Sequence, residues 1–264
     1  MKKGFVYITL MASILIAAAG SFTGCKKDNP DLFSEPDGIY FSTPSDSLYY
    51  TFAKYPNRTV DTLQIPVTVL GKVASKDRSF TVEKFAEAGL NGVEGVHYKL
   101  LPPYTLPAGK VSTVIPVVVF KTADMDNLLI SFKLQLKQNE NFVSGISAKT
   151  FLKVNVGYLQ KPPSWGEFGG SQWAGYSTNF GTWTKTKYKV ILEALYDPVS
   201  DTTVTEFPYS RFGAPASYLQ YLQLVKNYIR TNYPGNNSNP VGIGVTLRDP
   251  DANNNVVQVG PANY

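Results

Sequence analysis

Between Gly38 and Gly157 the sequence keeps returning to one pattern, a run of β-branched or aromatic residues followed by a break of Gly, Pro, Asn or Asp. The runs are Ile39-Tyr40-Phe41, Leu48 to Phe52, Thr62 to Leu70, Ser79 to Phe85, Lys110 to Phe120, Leu128 to Lys137 and Phe151 to Val156. Such side chains suit a pleated, half-buried surface. Within the sixth run Ile130, Phe132, Leu134 and Leu136 alternate with Ser131, Lys133 and Gln135, so one face is apolar and the other polar. Short strands at this spacing predict a mainly β chain built on an immunoglobulin-like antiparallel β-sandwich over residues 38–157.

Two of the runs contain the tripeptide Ile-Pro-Val, at Ile65-Pro66-Val67 and Ile115-Pro116-Val117. Proline has no N–H to give to a ladder, so both strands are expected at sheet edges or at bulges. Between them, Asn91 to Tyr98 and Leu106 to Lys110 read as a loop, a short strand and a hairpin turn.

Scarcity narrows the chemistry. In 264 residues there are one Cys and one His, against 17 Tyr, 15 Phe and 3 Trp. A disulfide framework, a Cys/His zinc cluster and any site needing two histidines are excluded, and no metal or cofactor is expected. No nucleophile with a base partner can be assembled from the sequence, so a non-catalytic role is expected. Its 20 acids leave a carboxylate-pair hydrolase as a third reading.

The first residues carry an address. Lys2 and Lys3 precede an apolar stretch from Phe5 to Ala19, too short to span a bilayer comfortably, and small residues lead to Cys25. Phe22-Thr23-Gly24-Cys25 resembles a bacterial lipobox, with Phe22 in place of the usual Leu. That resemblance implies a leader over residues 1–24 and Cys25 as the lipidated mature N-terminus, held at a membrane by its acyl chains. Losing Lys2 and Lys3 takes the formal charge from +5 to +3, too little and too dispersed for nucleic-acid binding. Residues 25–37, beginning Lys26-Lys27-Asp28-Asn29-Pro30, read as a flexible tether. A charged segment after the lipidated Cys also resembles the surface-export signal of Bacteroidota lipoproteins.

After Lys161-Pro162-Pro163, within a linker over 158–164, the composition shifts. Residues 165–183 hold five glycines and all three tryptophans. Tyr188, Ile191, Leu192 and Leu195 fall at helical spacing, and Pro215 with Leu219, Leu222, Val225 and Ile229 opens a second helix. Val241 to Leu247 and Val256 to Val259 read as a hairpin. A small, mixed α/β, aromatic-rich C-terminal subdomain over 165–264 is expected.

Trp165, Trp173, Tyr176 and Trp183, with Glu167 and Gln172 beside them, admit two readings. Aromatic faces with acids and amides near them match the CH face and hydroxyls of a pyranose. The same rings would equally pack the junction between sandwich and helices, as tryptophan usually does. His97 is expected to be hydrogen-bonded within or beside the sandwich. The loop Asp249 to Asn255 has oxygen ligands at alternate positions, but Asn254 replaces the glycine and Gly260 the glutamate of a calcium loop, so a turn is expected. Asp46-Ser47-Leu48, Asp61-Thr62-Leu63 and Asp201-Thr202-Thr203 resemble the O-glycosylation tripeptide of Bacteroidota envelope proteins, which implies Ser47, Thr62 and Thr202 as acceptors.

Gly38-Ile39-Tyr40-Phe41, Asp61-Thr62, Ile65-Pro66-Val67, Gly95-Val96-His97-Tyr98, Leu106-Pro107-Ala108-Gly109 and Ile115-Pro116-Val117 occur in that order. Pro163-Ser164-Trp165, Phe180-Gly181 and Lys185 to Leu192 follow. Together they resemble a Bacteroidota lipoprotein family of unknown function, of the domain-of-unknown-function 4843 type, over about residues 36–196. The Gly-x-His-Tyr segment also resembles Calx-β-like sandwiches, with His97 where an Asp is common, so no calcium site is carried over. The family resemblance implies a companion of TonB-dependent outer-membrane importers and their lipoprotein partners, as in starch-utilisation systems. The expected function is a lipid-anchored, outer-membrane, surface-exposed binding or accessory protein, with a glycan as ligand. A structural or adhesive module with protein partners is the alternative.

Overall fold

A computed structural model describes residues 36–162, 165, 180–205, 216–236 and 243–260. Ten strands form the sandwich: β1 (Gly38–Phe41), β2 (Ser47–Thr51), β3 (Val60–Leu70), β4 (Arg78–Phe85), β5 (Tyr98–Leu100), β6 (Tyr104–Leu106), β7 (Ser112–Phe120), β8 (Ile130–Lys137), β9 (Val143–Ser144) and β10 (Phe151–Gly157). Two helices follow, α1 (Lys185–Ala194) and α2 (Ala216–Asn232), and a hairpin of β11 (Arg248–Asp249) with β12 (Asn255–Val256) comes last.

The first sheet has the order β5-β7-β3-β1-β9 and the second β2-β10-β8-β4-β6. Alternation places Leu63, Ile65, Val67 and Val69 of β3 and Ile115, Val117 and Val119 of β7 inside, facing Phe132, Leu134, Leu152 and Val154 of the other sheet, all buried. Tyr98 stacks on Phe132 across that interface with centroids 3.8 Å apart. The sandwich is mostly antiparallel, but β1 runs parallel to β9 and β2 parallel to β10. Ser42 to Asp46 carries the chain from one sheet to the other without a hairpin reversal, so each early strand lies alongside a late one.

The two Ile-Pro-Val prolines are not on edge strands. β3 is flanked by β1 and β7, and β7 by β3 and β5. Their direction explains how they are tolerated. Val69 donates to Val111 on the β7 side, so the even-numbered positions of β3 face β1, and Ser42 N–H indeed donates to the Pro66 carbonyl. That contact lies just past the end of β1 at Phe41. On β7 Phe120 donates to His97, so Pro116 faces the β5 side, beyond the last β5 partner at Leu100. Each proline occupies a central strand where the short neighbour has stopped, and no ladder donor is missed.

The outward faces differ. On the first sheet Thr62, Gln64 and Thr68 of β3 lie opposite Val118, Pro116 and Ser112 of β7, with Val60, Leu70 and Val114 about half exposed. Lys99 of β5, opposite Val118, brings the charge to this face. On the second sheet Lys133 sits between Phe85 and Lys153 in register and its ammonium lies 5.2 Å from the centroids of both Phe85 and Phe151 while pairing with Glu87 at 2.5 Å.

The helices form where the spacing predicts them. Tyr188, Ile191, Leu192 and Leu195 are all buried, and so are Val225 and Ile229 of α2, while Leu219 is exposed. Thr184 caps α1 by accepting from Lys187 N–H and donating to the buried Asp249 carboxylate. The terminal hairpin is shorter than the sequence predicts, turning through Asn253 and Asn254 at φ of 53° and 59°. Asp249 is spent on Thr184 and on the Asp251 N–H, which fits a turn. Among the described residues no helix is long and apolar enough to cross a membrane.

Candidate functional site

The end of β10 builds a cleft. Gly157 has no Cβ, and one placed there would lie 2.1 Å from the Gln160 Oε1 and 3.0 Å from the Tyr49 hydroxyl, so only glycine lets both side chains close over the backbone. Gln160 Oε1 accepts from the Tyr158 N–H at 2.6 Å, and its amide donates to the carbonyls of Met125 and Leu128. This pins the turn ahead of β8 beneath Tyr158. Lys121 adds a second brace, with its ammonium 3.5 Å from the Tyr158 ring centroid and donating to the Pro56 carbonyl. Burial lowers the Lys121 pKa below the usual lysine value, partly countered by Asp126.

A cavity of about 320 Å³ opens beside this pinned corner. Tyr49 of β2, Leu129 and Pro162 supply its apolar lining, Lys161 and Thr205 its polar rim, and Tyr188 of α1 its far wall. The Tyr49 side chain is 57% exposed and points outward from the sheet, whereas Tyr188 is buried and donates to the Thr205 carbonyl at 3.2 Å. The size is that of a small-ligand site. Its chemistry is an aromatic platform with an ammonium and a hydroxyl at the margin, which suits binding a ring with an apolar face and hydroxyl edges.

An ion cluster holds the C-terminal part against the sandwich. Arg58 donates from Nη1 to Asp61 and from Nε to Asp201, each at 3.1 Å, and its guanidinium lies 4.1 Å from the Tyr55 ring centroid. Asp61 also accepts from the Tyr50 hydroxyl at 2.6 Å and from the Thr62 N–H, and Asp201 from the Tyr196 hydroxyl. Burial pushes the Asp61 carboxyl up, but these donors outweigh it and hold it below the usual carboxylate range. Arg58 and then Tyr196 do the same to Asp201.

The residues singled out in the sequence divide between packing and exposure. Trp165 is buried, its indole N–H donating to the Gly181 carbonyl at 3.0 Å and its ring set edge-on against Tyr188. It fills the junction and offers no face to a sugar, which corrects its place in the aromatic site. Trp183 is half-buried and packed on the same core. Trp173, Tyr176, Glu167, Gln172 and Cys25 lie outside the described residues. Ser47 and Thr62 are exposed; Thr202 is half-buried, its hydroxyl 2.7 Å from that of Ser200. His97 is buried, accepting from the Val93 N–H at Nδ1, so its Nε2 carries the proton toward Asp124 at 3.0 Å. Both ring nitrogens serve the loop. Tyr49, Leu129 and Gln160 were not singled out by the sequence; the one local signal was an aromatic at an outward position of its strand.

The profile of a family described as a domain of unknown function, DUF4843, matches residues 33–196. The chain belongs to that family. No curated protein matches it. Among solved structures, a Bacteroides ovatus protein of unknown function is 16% identical with a TM-score of 0.37, covering 47% of this chain and 45% of its own. A second B. ovatus protein, provisionally ascribed carbohydrate binding, is 14% identical with a TM-score of 0.35, over 46% and 36% of the two chains. A two-domain Bacteroides fragilis protein of unknown function is 12% identical with a TM-score of 0.35, over 53% and 54%. The likeness thus spans about half or less of each solved chain. The DUF4843 match takes in the whole sandwich, Gly157, Gln160 and all of α1, so every wall of the cleft except Thr205 lies within the family region.

Proposed function

We propose that this DUF4843 protein is a lipid-anchored, surface-exposed outer-membrane lipoprotein that acts as a non-catalytic binding component of a TonB-dependent nutrient uptake system. Its ligand is a glycan, seated in the cleft beside Tyr49. The observation that carries the ligand reading is the exposed Tyr49 ring over a cavity of about 320 Å³ whose corner is fixed by Gln160. A pinned wall keeps the platform from collapsing onto the cavity when no ligand is present, so binding does not have to order it. The ring would cover the CH face of one sugar while Lys161 and Thr205 reach its hydroxyls.

Affinity electrophoresis of the mature chain through gels containing plant and host polysaccharides tests this reading. Retardation by one polysaccharide that is lost in Tyr49→Ala, with an unchanged melting temperature, supports it; equal migration of the two chains in every gel rejects it. The address is tested separately. In cells, Cys25→Ala should move the chain from the membrane pellet to the soluble fraction, and protease added outside intact cells should remove the wild-type chain.

A further inference from the structure

A second cavity, of about 430 Å³, opens farther down β2 from the Tyr49 cleft, with Asp46, Ser47, Glu87, Lys133, Phe151 and Lys153 in its lining. Ser47 and Tyr49 are consecutive outward positions of β2, so the two cavities share an edge strand and their nearest residues on it lie about 7 Å apart. Opposite them in register stand Lys153 and Asn155 of β10, and beyond these Lys133 and Ser131 of β8. Two groups on this surface serve no neighbour. Lys153 lies directly opposite Lys133, which sets like charges against each other across the strands. Glu87 neutralises Lys133 at 2.5 Å, whereas Lys153 is exposed and forms no ion pair among the described residues, with Asp46 or with any other acid. The second group is the Asn155 amide. Its Oδ1 accepts from the Ser131 hydroxyl at 2.7 Å, which fixes the amide plane, and its N–H groups donate to nothing among the described residues.

We propose that the two cavities hold one acidic oligosaccharide, with a carboxylate or sulfate substituent seated at the Lys153 and Lys133 ammoniums and the neighbouring sugar ring lying on Tyr49. This rests on the glycan reading and names the class of glycan. The charge pattern selects the ligand. An anion at this point relieves the repulsion between the two lysines and gains a charge-assisted hydrogen bond from Lys153, while Glu87 keeps its place on Lys133. A neutral sugar would do neither. Phe151, half-buried beneath the Lys133 ammonium, supplies the apolar wall against which a ring can lie. Asn155, beside Tyr49 and one outward position from Lys153, offers its amide donors to the oxygens that join the two units. The separation of about 7 Å along β2 falls within the span of two linked rings, so a single chain reaches both cavities. Asp46 opposes the anion and lowers its affinity.

Affinity electrophoresis of the mature chain tests it, with de-esterified polygalacturonan run beside its methyl ester and a sulfated galactan beside the unsulfated polymer, within a wider set of neutral and acidic polysaccharides. An acidic polymer should bind about tenfold more tightly than its neutral counterpart, and the difference should fade between about 50 and 500 mM salt. The pair that responds tells carboxylate from sulfate. Lys153→Gln should weaken binding of the acidic polymer about tenfold and Lys153→Arg should keep it, while Asp46→Asn, by removing the opposing charge, should tighten it about threefold. Retardation that depends on Tyr49 but shows no preference for acidic polymers overturns this assignment and leaves the glycan reading standing. Retardation by an acidic polymer that Lys153→Gln leaves unchanged overturns it as well. No retardation by any polymer rejects both.

Discussion

On the outside of the first sheet Thr62, Gln64 and Thr68 stand beside Val114 and Val118, while equivalent outward positions on the second sheet hold Glu83, Lys133, Lys137 and Lys153. Both faces follow the same two-residue period, and both cover the same core. The second sheet protects its apolar outward groups with charge, as where the Lys133 ammonium lies over Phe85 and Phe151. The first leaves Val60, Leu70 and Val114 open. A strand pattern therefore settles what is inside, and the outward residues alone distinguish the two sides. One side is covered by charge, with a cavity at its β2 edge, and the other is neutral along β3 and β7.

The strongest test of that contrast removes what the faces share. Phe132→Ala takes away the ring stacked on Tyr98 between the sheets and should cost about 3–5 kcal/mol, read from the urea midpoint. Loss of cleft binding at temperatures where the variant is half unfolded is expected. Cleft binding that survives under those conditions would mean that the cleft does not rest on the core the two faces share.

On the charged side, Lys133→Ala uncovers Phe85 and Phe151 and strands Glu87, so a loss of about 1 kcal/mol is expected; a comparable Gln64→Ala on the other side should change stability by less than ~0.5 kcal/mol. Equal effects would erase the distinction between the faces. Inside, the Tyr98 hydroxyl is buried with no hydrogen-bond partner among the described residues, and burial, then Glu94, pushes its pKa up to about 12. Tyr98→Phe should leave stability unchanged or raise it by up to about 1 kcal/mol, and a loss greater than that would reveal a hidden partner.

The smallest effect concerns acid. Asp61 and Asp201 both have folded pKa values below their unfolded ones, so the stabilisation they give is present above about pH 4 and is lost as pH falls through the lower, folded values. Hydrogen exchange at pH 3 should show faster opening around Tyr196 to Thr203 than at pH 6 after correction for intrinsic rates, with β3 and β8 unaffected. Arg58→Leu should abolish the difference.

Seven of the ten sandwich strands, both helices and the terminal turn were legible because each depends on neighbours in sequence: the alternation from Ile130 to Leu136, the spacing from Tyr188 to Leu195, and the Asn pair after Asp251; β5, β6 and β9, at two or three residues, are too short to show a period. The parallel partners of β1 and β2 were not, since the crossing between sheets at Ser42 to Asp46 leaves no mark in periodicity. The prolines were misplaced for a related reason. Their missing donor is visible in sequence, but the length of the neighbouring strand is not. Of the candidate aromatic site, Trp165 belongs to the junction, where its size fills the gap between Tyr188 and Phe180. The cleft instead gathers Tyr49, Leu129, Gln160 and Thr205 from parts of the chain too far apart for any local motif to join.

Pro66 and Pro116 have a further consequence. A shift by one residue would turn the apolar side chains outward and is penalised by burial, but a shift by two keeps every side chain on its own face. Moving β1 two residues along β3 would bring Tyr40 opposite Pro66, and moving β5 two residues along β7 would bring Lys99 opposite Pro116. In each case a carbonyl would meet a ring nitrogen with no hydrogen to give. The prolines thus act as stops, in one direction along each long strand, against a misalignment that the hydrophobic pattern cannot detect.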